Sequence, residues 1–176
     1  MRSMGIKIGI GLFAACTLAL LVVNRTSEPQ VELTTLELSG DVKVTDRRGG
    51  TVSTGEESGL LLQVGDVIVE ISENTDVRLD RLFENNVRLF VARGRVSVSG
   101  ATITLTTDRV AATGSDFELV NYDFQERVTV EPTEKDVTVV VNGTQTEILL
   151  ADEYERLEIS ELEPFTITRT KTEMSE

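Results

Sequence analysis

Three constellations in the chain carry groups that do chemistry elsewhere. Gly114-Ser115-Asp116-Phe117 sets a hydroxyl beside a carboxylate. A serine nucleophile needs a neighbouring base to take its proton, and near neutral pH that base is most often histidine. The chain has no histidine. Ser-His-Asp and Cys-His sites are therefore excluded, together with His-based zinc and iron centres. Ser115 reads as inert, in a tight turn that buries Phe117. Asp152, Glu153, Glu155, Glu158, Glu161 and Glu163 form the second group. Their oxygens suit a weak Ca²⁺ site, but no EF-hand spacing accompanies them, and they read as a solvated face. The third is any carboxylate pair able to cleave a glycoside. Tryptophan is absent and aromatics are 5% of the chain, so no sugar platform flanks such a pair.

No Walker A, H-E-x-x-H, G-x-S-x-G or CxxC pattern occurs. Gly9-x-Gly11-x-x-Ala14 matches a loose dinucleotide fingerprint, but no strand precedes it and it has no βαβ unit. Asn142-Gly143-Thr144 is a glycosylation sequon in a suitable host, and the turn it makes explains it fully. No catalytic, cofactor-binding or metal-ligating residue is assigned, and the chain is expected not to be an enzyme.

The elements that hold these residues follow from composition. Of 176 residues, 22 are valine and 22 threonine. β-branched side chains are stiff at χ1 and fit the pleated surface of a strand. A core of short aliphatic side chains without tryptophan suits thin stacked β layers. The net charge is −13, from 17 bases and 30 acids. Such a surface repels phosphate backbones, so no nucleic-acid partner is expected.

Ile8 to Val23 is a 16-residue run without charge, preceded by Arg2 and Lys7 and followed by Asn24 and Arg25. A membrane-crossing helix needs about 20 apolar residues, and Met4 to Ile6 with a snorkelling Lys7 extend the run. The excess of bases before it places the N-terminus in the cytoplasm and the rest outside. An uncleaved signal anchor is the favoured reading. A cleaved signal peptide and a lipoprotein modified at Cys16 stay open, since Phe13-Ala14-Ala15-Cys16 approaches a lipobox. Gly11, Ala15 and Ala19 form a small-residue stripe through which two such helices can associate.

Beyond the polar linker the chain alternates apolar and polar residues with period two. Val42 and Val44, Val67 to Ile71, Val77 and Leu79, Val87 to Val91, Val96 and Val98, Ile103 and Leu105, and Val128 and Val130 all do so. These are short half-buried strands. Arg48-Gly49-Gly50, Val64-Gly65-Asp66, Glu84-Asn85-Asn86, Arg93-Gly94 and Ser99-Gly100 interrupt them. Asp136 to Leu149 reads as a hairpin with a type I′ turn at Asn142-Gly143. Pro132 is placed in a turn over 131–135, and 80–85 is expected to make one helical turn. Tyr154 to Ile159 reads as a strand, and the chain after Pro164 is expected to fray.

The order of these features resembles the FecR domain, an all-β extracytoplasmic module of bacterial envelope proteins. The resemblance rests on Gly40-Asp41-Val42, Leu62-Gln63-Val64-Gly65-Asp66, Val77-Arg78-Leu79 and Gly94-Arg95-Val96-Ser97-Val98. Its most specific part is Leu105 to Leu119, with Val110 and Gly114-Ser115-Asp116-Phe117-Glu118-Leu119, and it closes on Leu149-Leu150-Ala151-Asp152-Glu153. Ser115 stands where the family has Thr, and Asp152 where it has Gly. The resemblance spans about Leu36 to Ile159.

The expected fold is all-β: a stacked antiparallel sandwich or roll, or a β-solenoid-like domain, with one N-terminal transmembrane helix. The expected organisation is a cytoplasmic stub at 1–5, the anchor at 6–24, a linker at 25–34, the β domain at 35–162 and a tail at 163–176. Relatives that control a sigma factor carry a cytoplasmic helical region before the span. Only Met1 to about Gly5 precede it here, so a membrane-tethered protein-binding or scaffolding role is expected instead. A transmembrane sensing role through a partner membrane protein is the alternative.

Overall fold

The computed structural model describes residues 31–45, 50–84, 86–134, 136–143, 146–162 and 165–171. The expectations for 1–24, including the anchor, Cys16 and the Gly11/Ala15/Ala19 stripe, fall outside these residues. Among the described residues no helix is long and apolar enough to cross a membrane.

The described residues are all-β apart from a 3₁₀ turn at Asp123–Gln125. Fifteen strands follow in order: β1 (Leu33–Ser39), β2 (Val42–Thr45), β3 (Thr51–Thr54), β4 (Gly59–Val64), β5 (Val67–Ile71), β6 (Asp76–Phe83), β7 (Asn86–Gly100) and β8 (Ile103–Thr106). Then come β9 (Val110–Gly114), β10 (Phe117–Tyr122), β11 (Arg127–Pro132), β12 (Val137–Asn142), β13 (Thr146–Ala151), β14 (Glu155–Ser160) and β15 (Ile167–Lys171).

The strands form two sheets that share β7. The first runs β2-β3-β6-β7-β8-β9-β12-β13, the second β1-β4-β5-β7-β10-β11-β14-β15. Asn86 to Arg93 of β7 pair with β6 in the first sheet, and Gly94 to Gly100 pair with β5 and β10 in the second. The chain otherwise lays a hairpin in one sheet, crosses, and lays the next in the other. Hairpins make antiparallel neighbours. The second half of β7 crosses its sheet as a single strand, so β8 returns parallel to the first half, with Leu89 opposite Leu105.

Both sheets turn their apolar positions inward to one core. Val69, Ile71, Leu89, Val91, Val96, Leu119, Val130, Val139 and Ile159 are fully buried, and Phe117 is the one aromatic sealed among them. The period-two alternation is met in β5, β7, β8, β12 and β14. Val44 departs from it: β2 is a four-residue edge, and Val44 is 43% exposed.

Several local expectations are corrected. Asp80 to Phe83 are strand, not helix, because β6 pairs with β7 as far as Phe83 opposite Asn86. Arg93-Gly94 is a bend inside β7, not its end. The β12–β13 hairpin forms, but Asn142 pairs with Thr146, which is not the register of a two-residue turn at Asn142-Gly143. The Asn142 N–H is donated to Arg109 O at 2.7 Å, which holds Asn142 in the strand, and Gly143 is not in the left-handed region. Pro132 ends β11 opposite Phe117 rather than making a turn. Residues 167–171, expected to fray, pair with β14 as β15.

The crossing within β7 is tightly built. Gly94 has φ +92°, and a Cβ there would lie 2.2 Å from Thr75 Oγ1 and 2.6 Å from Thr75 Cα. Gly94→Ala is therefore expected to lower stability by roughly 2–4 kcal/mol. Gly55→Ala, with φ outside the left-handed region and nothing nearer than 3.5 Å, is expected to stay within about 0.5 kcal/mol. Urea denaturation of the two variants measures the difference.

Candidate functional site

Most buried polar side chains lie where the chain crosses between sheets; Thr107, in the β8–β9 turn, and Thr129, within β11, do not. Crossings before Gly94 stack on one side of the sandwich and those after it on the other, as the registers require. On the first side, Asp41 N–H donates to Ser58 Oγ at 2.8 Å, and Gly55 N–H to Asp41 O at 3.0 Å. Thr54 Oγ1 donates to Ser72 O at 2.6 Å and accepts from Thr75 N–H at 3.0 Å. Thr75, fully buried, accepts from Arg95 N–H at 3.0 Å and donates to Glu73 O. Asn121 Nδ2 donates to Val91 O and Ala92 O, just before the β7 bend.

On the second side Asp116 is the node. Its Oδ1 accepts Gly100 N–H at 3.2 Å, its Oδ2 accepts the Ser115 hydroxyl at 2.6 Å, and its carbonyl accepts Thr133 N–H at 2.9 Å. Three successive crossings are joined through one residue. Ser115 and Asp116 are both buried. The Ser115 proton is already engaged by the carboxylate, and both groups serve the turn expected to bury Phe117.

The acids from Asp152 to Glu161 do not form one solvated face, and Glu163 lies outside the described residues. Glu155 is buried, and its Oε2 accepts Asp152 N–H at 3.3 Å and Arg169 Nη1 at 3.0 Å. Glu158 pairs with Arg127 at 3.1 Å, and Glu161 Oε1 accepts the Thr107 hydroxyl at 2.7 Å. The exposed Tyr154 phenol donates to Glu153, which raises its pKa. Among the described residues no group of three or more His, Cys, Asp or Glu is placed to hold a metal ion. A cleft of about 470 Å³ between β1, β4 and β5 is rimmed by Glu37, Glu57, Glu70 and Glu73.

What remains for function is the outside of each sheet, and the two differ in charge. On the second sheet, Glu37, Leu61, Glu70, Ser97, Glu118 and Glu131 are successive cross-strand neighbours. Arg95 lies 3.6 Å from Glu118 on the same face. On the first sheet, Ile148, Val140, Ala111, Thr106, Phe90 and Arg78 form one row, and Leu150, Thr138, Thr113 and Thr104 the next. From β8 to β13 these outward positions carry no charge. Thr104 and Thr113 share a hydroxyl hydrogen bond at 3.0 Å, and the Arg78 guanidinium stacks 4.4 Å above Phe90. Ile148 is 73% and Leu150 50% exposed. On a chain of net charge −13 this neutral face is the candidate interaction surface. The sequence reading did not find it, although the alternate residues of 104–113 and 138–150 carry the signal.

No family model matches the chain, and no curated protein does. Solved structures do. Two crystal structures of a "putative anti-sigma factor" from Parabacteroides distasonis share its fold at TM-scores of 0.57 and 0.56, each with 14% identity. The match covers 73% and 69% of this chain, which spans about 60% of the length of those neighbours. At that identity the likeness is one of fold.

Asp116→Ala leaves the Gly100 N–H and the Ser115 hydroxyl without their acceptor and is expected to cost about 1–3 kcal/mol. Asp116→Asn, which keeps one acceptor oxygen, is expected to cost less. Calorimetric unfolding of the two variants decides whether the carboxylate is the node of the second side.

Proposed function

We propose that the chain is a non-enzymatic protein-binding module of the bacterial envelope. In this reading residues 6–24 tether it to the membrane, the N-terminus is cytoplasmic, and the β domain lies on the far side. The observation that carries the binding role is the uncharged outer face of the first sheet over β8, β9, β12 and β13, from Thr104 to Leu150. Interface centres are depleted in charged residues, and a neutral patch on an acidic protein marks where a partner desolvates the surface at least cost. The groups that could have done chemistry are otherwise occupied: Ser115 and Asp116 hold a turn, and Glu155 is bound to Arg169.

A regulatory form of the same reading is favoured by the anti-sigma name of the structural neighbours. The domain then works within a signalling system, through a partner membrane protein that meets residues 6–24. The two forms differ in where the partner binds.

Photo-crosslinking residues placed singly at Thr113, at Ile68 on the exposed outer face of the second sheet, and at Leu18 in the full chain, in native membranes, test both. Adducts at Thr113 and none at Ile68 are expected for a module that binds through its neutral face. Adducts confined to Leu18 favour the regulatory form. Adducts at Ile68 alone would overturn the assignment of the face. In the same cells, protease added to intact spheroplasts is expected to degrade the β domain, and a protected domain would overturn the proposed address.

A further inference from the structure

Among the described residues the two sheets end in four edge strands, and three are blunted. Strand β1 shifts register between Thr35 and Glu37, which leaves Leu36 in a bulge. Strand β2 is four residues long and carries Lys43. Strand β15 carries Arg169 and Lys171. Bulges, shortness and basic residues are the devices that keep an edge from pairing. Strand β13 has no bulge, no basic residue and six residues of length; its one charge is Glu147, at the turn end of the strand. It reads Thr-Glu-Ile-Leu-Leu-Ala, pairs with β12 through six consecutive residues without a shift, and exposes Ile148 and Leu150.

The direction of its edge groups follows from its neighbours. The Asn142 N–H points to β9, so Val141, Val139 and Val137 turn their backbone groups toward β13. Their partners Glu147, Leu149 and Ala151 are thereby satisfied. The N–H and C=O groups of Thr146, Ile148 and Leu150 then face outward from the sheet. Arg169 Nη1 caps Leu150 O at 3.2 Å, which confirms the direction and covers one of these groups.

We propose that β13 is a self-pairing edge, which adds antiparallel to β13 of a second copy so that the two first sheets run on as one. The inference rests on the reading of the chain as a binding module and names one of its partners. With Leu149 opposite Leu149, Ile148 of each copy lies opposite Leu150 of the other, and Glu147 opposite Ala151. Edge-facing groups meet edge-facing groups, as antiparallel ladders require. The apolar side chains of the neutral face meet their own kind across the new pair. The two Glu147 side chains sit four residues apart along the strand, about 13 Å, beyond the screening length of about 8 Å at physiological salt. A one-residue slip would set the edge-facing Ile148 against Leu149, whose backbone groups face β12, and a two-residue slip would set Glu147 against Leu149 and Thr146 against Leu150, so the sequence selects the first register. A strand of another protein has no reason to match this order, whereas a second copy does so by symmetry.

The test uses the full chain in detergent micelles with Cys16, its only cysteine, replaced by serine. Ile148→Cys and Leu150→Cys chains, mixed and oxidised, are expected to crosslink to each other about tenfold more than either does to itself. Cα separations near 5.5 Å in such a pair suit a disulfide. Sedimentation of the cysteine-free chain is expected to show a dimer that tightens as salt screens the two acidic surfaces. Ile148→Lys is expected to weaken that dimer by about tenfold or more without moving the unfolding midpoint. A chain that is monomeric at every concentration overturns the pairing, as does a dimer indifferent to Ile148→Lys. An adduct of Leu150→Cys with another protein in place of its own copy also overturns it. A monomer whose neutral face still gives adducts at Thr113 overturns the pairing and leaves the binding reading standing.

Discussion

One strand has to belong to two sheets, and the rest of the structure depends on how it does so. A continuous β7 passes from the first sheet to the second at Gly94. An L side chain at φ +92° is strained, and here it would also strike Thr75. Thr75 in turn takes the Arg95 N–H released by the bend, and Asn121 takes the carbonyls of Val91 and Ala92. The bend leaves buried backbone groups that neither ladder can pair. Two side chains answer them. The consequence is topological: crossings before Gly94 stack on one side, crossings after it on the other, and β8 returns parallel to β7.

The same requirement explains where polar groups are buried. A core of valines with a single sealed phenylalanine makes a thin layer. Every crossing over its rim exposes backbone that neither sheet satisfies. Ser58, Thr54 and Thr75 serve the first side, and Ser115, Asp116 and Glu155 the second. Small hydroxyls fit because a rim position has room for one or two hydrogen bonds and little else. Asp116 and Glu155 are larger and carry charge into the rim. Each is kept there by more than one donor, as a buried carboxylate must be.

Much of this order was legible in the residues, because strand alternation and rim chemistry are both local. Val67 to Ile71 and Val96 to Val98 alternate as they must when one face is core. The motifs behind the FecR resemblance fall at turns: Gly40-Asp41, Gly94 and Gly114-Ser115-Asp116 at crossings, Gly65-Asp66 at a hairpin. They record the fold's need for hydrogen bonds and tight bends, so they identify architecture and are silent on chemistry. What was missed lies beyond local signals. Gly94 looks like a turn in sequence, and only the partners on both its flanks make it a bend. Asn142-Gly143 looks like a two-residue turn, but Arg109, 33 positions away, fixes the end of the strand. The acids of 152–163 looked like one solvated face. Arg127, Arg169 and Thr107 each draw one of them to a different place.

The division of charge between the outer faces is the last constraint, and it bears on what such a domain is for. Both faces are equally free to carry charge, since neither enters the core. The second sheet spends that freedom on four glutamates in one row that crosses six strands. The first sheet from β8 to β13 uses threonine, alanine and branched aliphatics in the same positions. Threonine and branched aliphatics suit a strand better than glutamate does, so the first sheet keeps the residues that favour its ladder while the second gives up part of that preference for charge. The face left uncharged ends at β13, an edge without a bulge or a basic residue of its own.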